Sequence, residues 1–453
     1  MRRTLAFCCV AALVAHAGIV EAQTTYRGWP NQTSFNPMSQ QQATGMGLAY
    51  RGDPSTPLMQ RLPMPPQVRP RSVNYLLNSG PQVGPPLPVV QQPAQVTHIW
   101  NDYPAKVLTT GRSSHGCKTP NCCAPTWCAS IGGVYMTRES DDNLWLSYDQ
   151  FSIADRVLTS NHADYDWSAG AEASVRRYFN CGKNSIEFAY WGIYPEQEEA
   201  WVLGVNTVGG LDTILHFDGL SYDPGGGPAL VGGGGFFNAE HHRVQREYQI
   251  HNVELNLLGH NFCTPCSGLK LGWTAGVRYV RLEEDFLYST DPIDTVFTGD
   301  PEELHYGIDV ENNLIGFQLG GRGDYCWKSV TLFADTKVGL YANRVTQEQA
   351  IFGTNGFAFV SDPLSPYFNE DVNISSRKDD VALLGELKLG ANWNFHKCWK
   401  VGLGYRVVGM SGVAVATHQV PRDFIGALPS LEAVDTNCGI LLHGGFLNVE
   451  YCR

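Results

Sequence analysis

Twelve charged residues stand at alternate positions of runs whose other phase is apolar: Glu172, Arg176, Glu187, Glu254, Lys270, Arg278, Asp335, Lys337, Glu386, Lys388, Arg406 and Glu450. In residues 270–279 the pattern puts Lys270, Thr274 and Arg278 on one face and Leu271, Trp273, Ala275, Val277 and Tyr279 on the other. That is a strand with one wet face and one apolar face. If the apolar phase meets lipid, the charged phase lines a lumen together with Asn252, Asn256 and Gln318. Six acids then face six bases, and the chemistry open to them is ion pairing or charge selection of a solute. A balanced set in a narrow lumen collapses into ion pairs, because an unpaired charge there carries a desolvation cost. A selective channel is the alternative.

Cysteine is the second reactive type. Of the 13 cysteines, Cys8 and Cys9 fall in an N-terminal leader, which leaves Cys438 and ten disulfide candidates. These are Cys117, Cys122, Cys123 and Cys128 in one cluster, then Cys181, Cys263, Cys266, Cys326, Cys398 and Cys452. All ten fall at short turns or chain ends, which predicts a disulfide-laced floor on one rim in an oxidising compartment. Disulfide geometry opposes a bond between the adjacent Cys122 and Cys123. Cys263 and Cys266 could be half a zinc site or a redox pair, but no second CxxC accompanies them and a bridged turn is the simpler reading.

No catalytic residue, metal ligand or cofactor site is assigned. His241 and His242 read as solvated histidines beside a Gly-rich loop, and the glycines between 225 and 235 lack the Lys-Ser/Thr of a phosphate loop. The Arg-Gly-Asp tripeptides at 51–53 and 322–324 match an adhesion motif only at chance level. No nucleophile elbow supports a Ser/His/Asp hydrolase. Glu196, Glu198, Glu199, Glu283, Glu284, Asp285, Asp291, Asp294, Asp300, Glu302 and Glu303 concentrate negative charge at loop starts and in long connections. They read as a solvated acidic face, with hard-cation binding as the other outcome.

The elements that must position these residues are strands. Ten candidates cover 131–138, 167–179, 185–194, 246–258, 269–283, 306–321, 330–344, 380–395, 400–416 and 439–451; residues 211–217 and 351–360 would make twelve. Connections alternate long and short, as in bacterial outer-membrane barrels with short periplasmic turns and long outward loops. Arg2 and Arg3 before an apolar stretch, and small residues at 20–22, mark residues 1–22 as an export signal too short to span a membrane. Residues 23–116 carry more than half of the 26 prolines and read as a disordered Pro/Gln-rich extension; 117–128 is the Cys-rich segment and 129–453 the barrel. Charged residues make up 17% of the chain, below the roughly 25% of soluble domains, which suits a lipid-facing surface. A net charge of -12 argues against a nucleic-acid partner.

Residues 312–321, 276–280, 383–387, 404–408 and 412–416 resemble a family of planctomycete outer-membrane β-barrel proteins of unknown function. The likeness runs from about Trp127 to the C-terminus and implies a fold and a location, not a reaction.

The sequence therefore predicts an all-β, antiparallel up-and-down transmembrane barrel of about ten strands in the outer membrane, with lipid as its partner. A structural or surface-exposed envelope protein with a plugged lumen is the leading reading; a narrow diffusion channel and a loop-borne hydrolase or adhesin are the alternatives. An envelope or cell-surface partner would engage the extension or the outward loops.

Overall fold

The computed structural model describes residues 125–139, 143–206, 210–260, 268–421, 424 and 428–453. The signal 1–22, the extension 23–116, and Cys117, Cys122, Cys123, Cys263 and Cys266 lie outside the described residues. Ten long strands form the wall: β1 (Trp127–Glu139), β2 (Ser168–Phe179), β3 (Asn184–Leu203), β4 (His241–His260), β5 (Leu269–Asp291), β6 (Leu304–Trp327), β7 (Val330–Gly353), β8 (Asn373–His396), β9 (Trp399–Val413) and β10 (Cys438–Cys452). Each pairs antiparallel with the next, and β10 pairs back onto β1, so the sheet has no edge. Closure lets the wall's backbone groups pair within the sheet, which a strand in lipid requires.

Along β5 and β6 the alternation changes sense. On β5 the outward phase is Leu271, Trp273, Val277 and Tyr279, all exposed. Beyond Tyr279 that same phase becomes Arg281, Glu283 and Asp285, and the inward phase becomes the buried Val280, Leu282, Phe286 and Tyr288. On β6, exposed Ile315, Phe317 and Leu319 give way to Asn313, Glu311 and Asp309, while Leu304, Tyr306, Ile308 and Val310 turn inward and are buried. From Leu271 to Tyr279 the strand rises roughly 27 Å, and a tilt of about 40° reduces this to about 20 Å of height, close to a barrel's apolar band of about 25 Å. Below the switch lipid is the outer solvent and the greasy face points out. Above it water is, and the greasy face points in.

This reversal explains where the strand ends differ from expectation. The alternation predicted strands ending at 283 and 344, whereas β5 runs to Asp291 and β7 to Gly353. The upper stretches keep the two-residue period but exchange its faces. Glu196, Glu198 and Glu199 on β3 and Glu283, Glu284 and Asp285 on β5 are therefore wall residues rather than loop residues. The two extra strand candidates join the cap: Leu211–Thr213 pairs with Trp145–Asp149, and Phe359–Val360 pairs with Leu220–Tyr222. The wall stays at ten.

The long loops fold over the outward mouth around a second apolar core that includes Leu146, Phe217, Phe236, Tyr306 and Phe424. Phe217 lies 4.7 Å from both Phe236 and Phe424 between ring centroids. The glycine run predicted as flexible loop contributes to this core, with Gly232, Gly235 and Phe236 buried in one helical turn.

At the opposite rim a disulfide joins Cys128 to Cys452, residues facing each other across the β1/β10 seam. Cys181 is also disulfide-bonded. Cys326 and Cys398, expected to bridge, are thiols. Cys326 sits at the end of β6 and Cys398 in the β8/β9 connection, with two strands between them, and Cys452, the neighbour of Cys398, is already taken by Cys128. Among the described residues, the expected floor consists of a seam staple and a bonded Cys181, without Cys326 and Cys398.

A direct check of the lipid-facing assignment is substitution by Arg on each side of the switch. Val277→Arg should cost about 2–4 kcal/mol of barrel stability in lipid, and Glu283→Arg much less. Equal tolerance in a urea titration of the refolded barrel would contradict the band.

Candidate functional site

The lower lumen is crossed by a layer of charges that the wall aims inward. Glu254 on β4, Arg278 on β5, Lys337 on β7, Glu386 on β8 and Arg406 on β9 are all buried. Arg278 Nη1 lies 2.8 Å from Glu386 Oε2 and 3.8 Å from Glu254 Oε1. Lys337 Nζ lies 2.8 Å from Glu254 Oε2. Arg406 donates to Glu172 of β2 at 2.6 Å and reaches Glu386 at 3.4 Å. Lys388 is also 3.4 Å from Glu386. Strands β5 and β8 are not neighbours, nor are β9 and β2, so these pairs reach across the barrel rather than along its wall.

Amides add hydrogen bonds to two of these carboxylates. Asn252, Asn256 and Gln318 donate to Glu254 at 3.0, 2.9 and 2.9 Å, and Asn448 donates to Glu172 at 2.7 Å. Gly276 makes room for Asn256, whose Oδ1 would stand 2.2 Å from any Cβ added there. Trp191 covers the layer, with the Arg406 guanidinium 4.8 Å and that of Arg278 6.0 Å from its ring centre. A charge in low dielectric is tolerable only with such partners.

Of the twelve charged positions expected inward, the structure brings eight into this region: Glu172, Glu187, Glu254, Arg278, Lys337, Glu386, Lys388 and Arg406, with Arg176 paired to Glu187 beside it. Asp335 pairs with Arg322 at 3.6 Å nearer the rim, and Glu450 with Lys400. Lys270 stands apart. It is exposed at the rim, where β5 begins beyond the reach of the layer. Lys400, at the start of β9, shares the inward phase. Arg322 and Asp324 share it too and were missed because the strand candidate ended at 321, whereas β6 continues to Trp327. The tripeptide 322–324 lies inside that strand, with Arg322 bonded to Asp324 at 3.0 Å.

Above the layer, Met136, Ile250, Val280, Leu314, Leu384 and Val408 form a buried apolar tier. Above that, the buried Glu284 holds Arg138 at 3.2 Å, Arg246 at 3.3 Å and the Tyr165 hydroxyl at 2.6 Å. The Tyr165 ring stands 4.3 Å from the Arg246 guanidinium and 4.9 Å from that of Arg138. Sequence reasoning assigned Glu284 to an acidic loop. Its position one step out of phase with Glu283 and Asp285 was the available signal.

The remaining acids divide by face. Glu247, Asp285, Asp309 and Glu348 oppose one another across β4 to β7 on the outward phase above the apolar band. Burial, and then the carboxylates of Asp285 and Glu283, push Asp309 up to about 8. Glu303 is buried and accepts the backbone N–H groups of Thr298, Gly299 and Asp300 at 2.6–3.2 Å, so it shapes its loop.

His241 and His242, expected in solvent, are buried at the start of β4. His242 Nδ1 lies 2.8 Å from Ser147 Oγ and 3.0 Å from the Tyr288 hydroxyl. This resembles a nucleophile and its base, but Ser147 and His242 are both fully buried under the cap. Burial pushes His242 down to about 3, keeping the ring neutral.

Residues 239–435 match the family described as "Putative beta barrel porin-7 (BBP7)". The chain is a closed β-barrel, similar over these residues to that porin-like family. The match covers β4 to β9 and agrees with the resemblance carried by the strand motifs. No curated protein matches the sequence. Among solved structures, the outer membrane protease OmpT from Escherichia coli aligns at 10% identity and a TM-score of 0.34, over 72% of this chain and 96% of that one. A major outer membrane protein from Thermus thermophilus aligns at 14% identity and 0.27, over 72% and 99%. A Pseudomonas aeruginosa FadL homologue aligns at 6% identity and 0.22, over 72% and 90%. At these scores the likenesses carry nothing about activity.

Breaking one partner of the layer should be costly. Glu386→Ala leaves Arg278 and Arg406 short of a carboxylate and should destabilise the barrel by about 3–5 kcal/mol in urea unfolding, against under 1 kcal/mol for the exposed Asp379→Ala. Near-equal effects would contradict an energetically coupled layer.

Proposed function

We propose that this barrel is a non-catalytic envelope protein whose lumen is plugged and whose cap presents a surface to the outside. The observation that carries the reading is the set of ion pairs running across the lumen, Arg278 to Glu386 and Arg406 to Glu172, both buried. A hydrated ion passing this level would have to replace partners already held at 2.6–2.8 Å in low dielectric. The apolar tier above offers it no ligand. A lumen of ten strands is only slightly wider than the eight-stranded kind that side chains fill, and far from the sixteen or so of water-filled porins.

The burial of Ser147 and His242 supports the non-catalytic part, since a substrate has no approach to that hydroxyl. A narrow channel is the second reading, favoured by the porin family match. Planar-bilayer recording of the purified full chain separates the two. The plugged reading expects no steady conductance in 1 M KCl, and a channel in the double variant Arg278→Ala/Arg406→Ala if it folds. Steady, ion-selective conductance of the unaltered protein would overturn it.

A further inference from the structure

Three outward loops, from the β3/β4, β7/β8 and β9/β10 connections, meet around a cavity of about 430 Å³. Its apolar walls are Leu220, Val360, Val372, Phe424, Leu428 and Leu431, all buried, so they are fixed parts of the cap core rather than loose surface groups. The volume falls within the range of small-molecule sites, roughly 300–1,000 Å³.

The cavity is held open by backbone. Val360 pairs with Leu220, and its N–H donates to the Glu370 carbonyl at 3.0 Å. The Ser361 N–H donates to the Gly219 carbonyl at 2.8 Å, tying two loops at the lip. Gly219 turns there with φ +79°, a conformation open to glycine. Phe424 donates its N–H to the His216 carbonyl at 3.1 Å and packs on Tyr306 with ring centres 5.4 Å apart. A site preformed in this way spends little of its binding energy on ordering itself.

Among the described residues the charge at the lip has one sign. Asp218 and Asp362 are exposed there, and no described lining residue is basic. One Asp362 oxygen accepts the Leu364 N–H at 2.9 Å, which fixes the carboxylate at the lip. An apolar body would bury against the leucines and Phe424, while a cationic head at the lip would meet two carboxylates; an anionic head would be repelled.

We infer that this cavity is a binding site for a small apolar molecule carrying a protonated amine. The site faces outward and needs no open lumen, so it stands whether or not the barrel conducts.

Isothermal titration of the full chain in lipid nanodiscs, with empty nanodiscs subtracted, tests this with three probes of one body: 2-phenylethylammonium, 2-phenylethanol and phenylacetate at pH 7. The ammonium should bind at least ten-fold tighter than phenylacetate, with the alcohol between them. Asp218→Asn/Asp362→Asn should bring the ammonium down to the affinity of the alcohol and leave the alcohol unchanged. Leu428→Trp, with unfolding temperature checked, should abolish binding of all three by filling the cavity. No heat from any probe would overturn the site. So would phenylacetate binding as tightly as the ammonium, or an ammonium advantage that survives the double Asn variant.

Discussion

A strand that leaves the bilayer changes solvent part-way along its length, and the rest of this structure follows from accommodating that change in one continuous wall. In lipid the apolar phase gains by facing out, and the lumen must then hold the polar phase. In water the apolar phase gains by facing in, and the lumen becomes an ordinary hydrophobic core. On β5 the exchange falls between Tyr279 and Arg281 on the outward side and between Arg278 and Val280 on the inward side, within two residues of each other. The barrel is thus an inverted protein below and a conventional one above. Its two interiors meet at Trp191 and the apolar tier.

The lower interior could have been apolar as well, since replacing buried ion pairs by well-packed hydrophobic residues is often neutral or stabilising. Such strands would then be greasy on both faces. A run of that kind is an aggregation hazard while exposed to water on its way to the membrane. Charges at Lys337, Glu386 and Arg406 interrupt the runs before folding and become the lumen's polar core after it. Their pairing across non-adjacent strands also favours one arrangement of the wall, because a one-residue slip would turn every charge toward lipid.

The sequence made the lower half legible. Two-residue alternation located all ten wall strands, and its charged phase named most of the inward layer, though which residues pair, such as Arg278 with Glu386, came only from the fold. Less was visible above the band, because the reversed pattern of Phe286, Tyr288, Leu304 and Tyr306 looks like the end of a strand to a reader following the outward apolar phase. Glu284, Arg138 and Arg246 were hidden for this reason, although each keeps the inward phase of its strand. The cap was legible only as the two extra strand candidates: Phe217, Leu220 and Phe236 of one loop meet Val360 and Phe424 of two others, and only tertiary packing brings them together. Cysteine placement indicated the rim and a bridge from the Cys117–Cys128 cluster to another rim cysteine, which Cys128–Cys452 is, without singling out that pair.

The central claim is the change of outer solvent near Tyr279, and fluorescence quenching along one strand addresses it most directly. A polarity-sensitive probe is attached in turn at 271, 275, 277, 281, 283 and 285 of β5, with the barrel reconstituted in vesicles and read against brominated lipid and aqueous iodide. Lipid quenching should dominate at 271, 275 and 277, and iodide at 281, 283 and 285, with the crossover at Tyr279. Lipid quenching that continued undiminished to 285, or iodide access along the whole series, would contradict the inverted lower half.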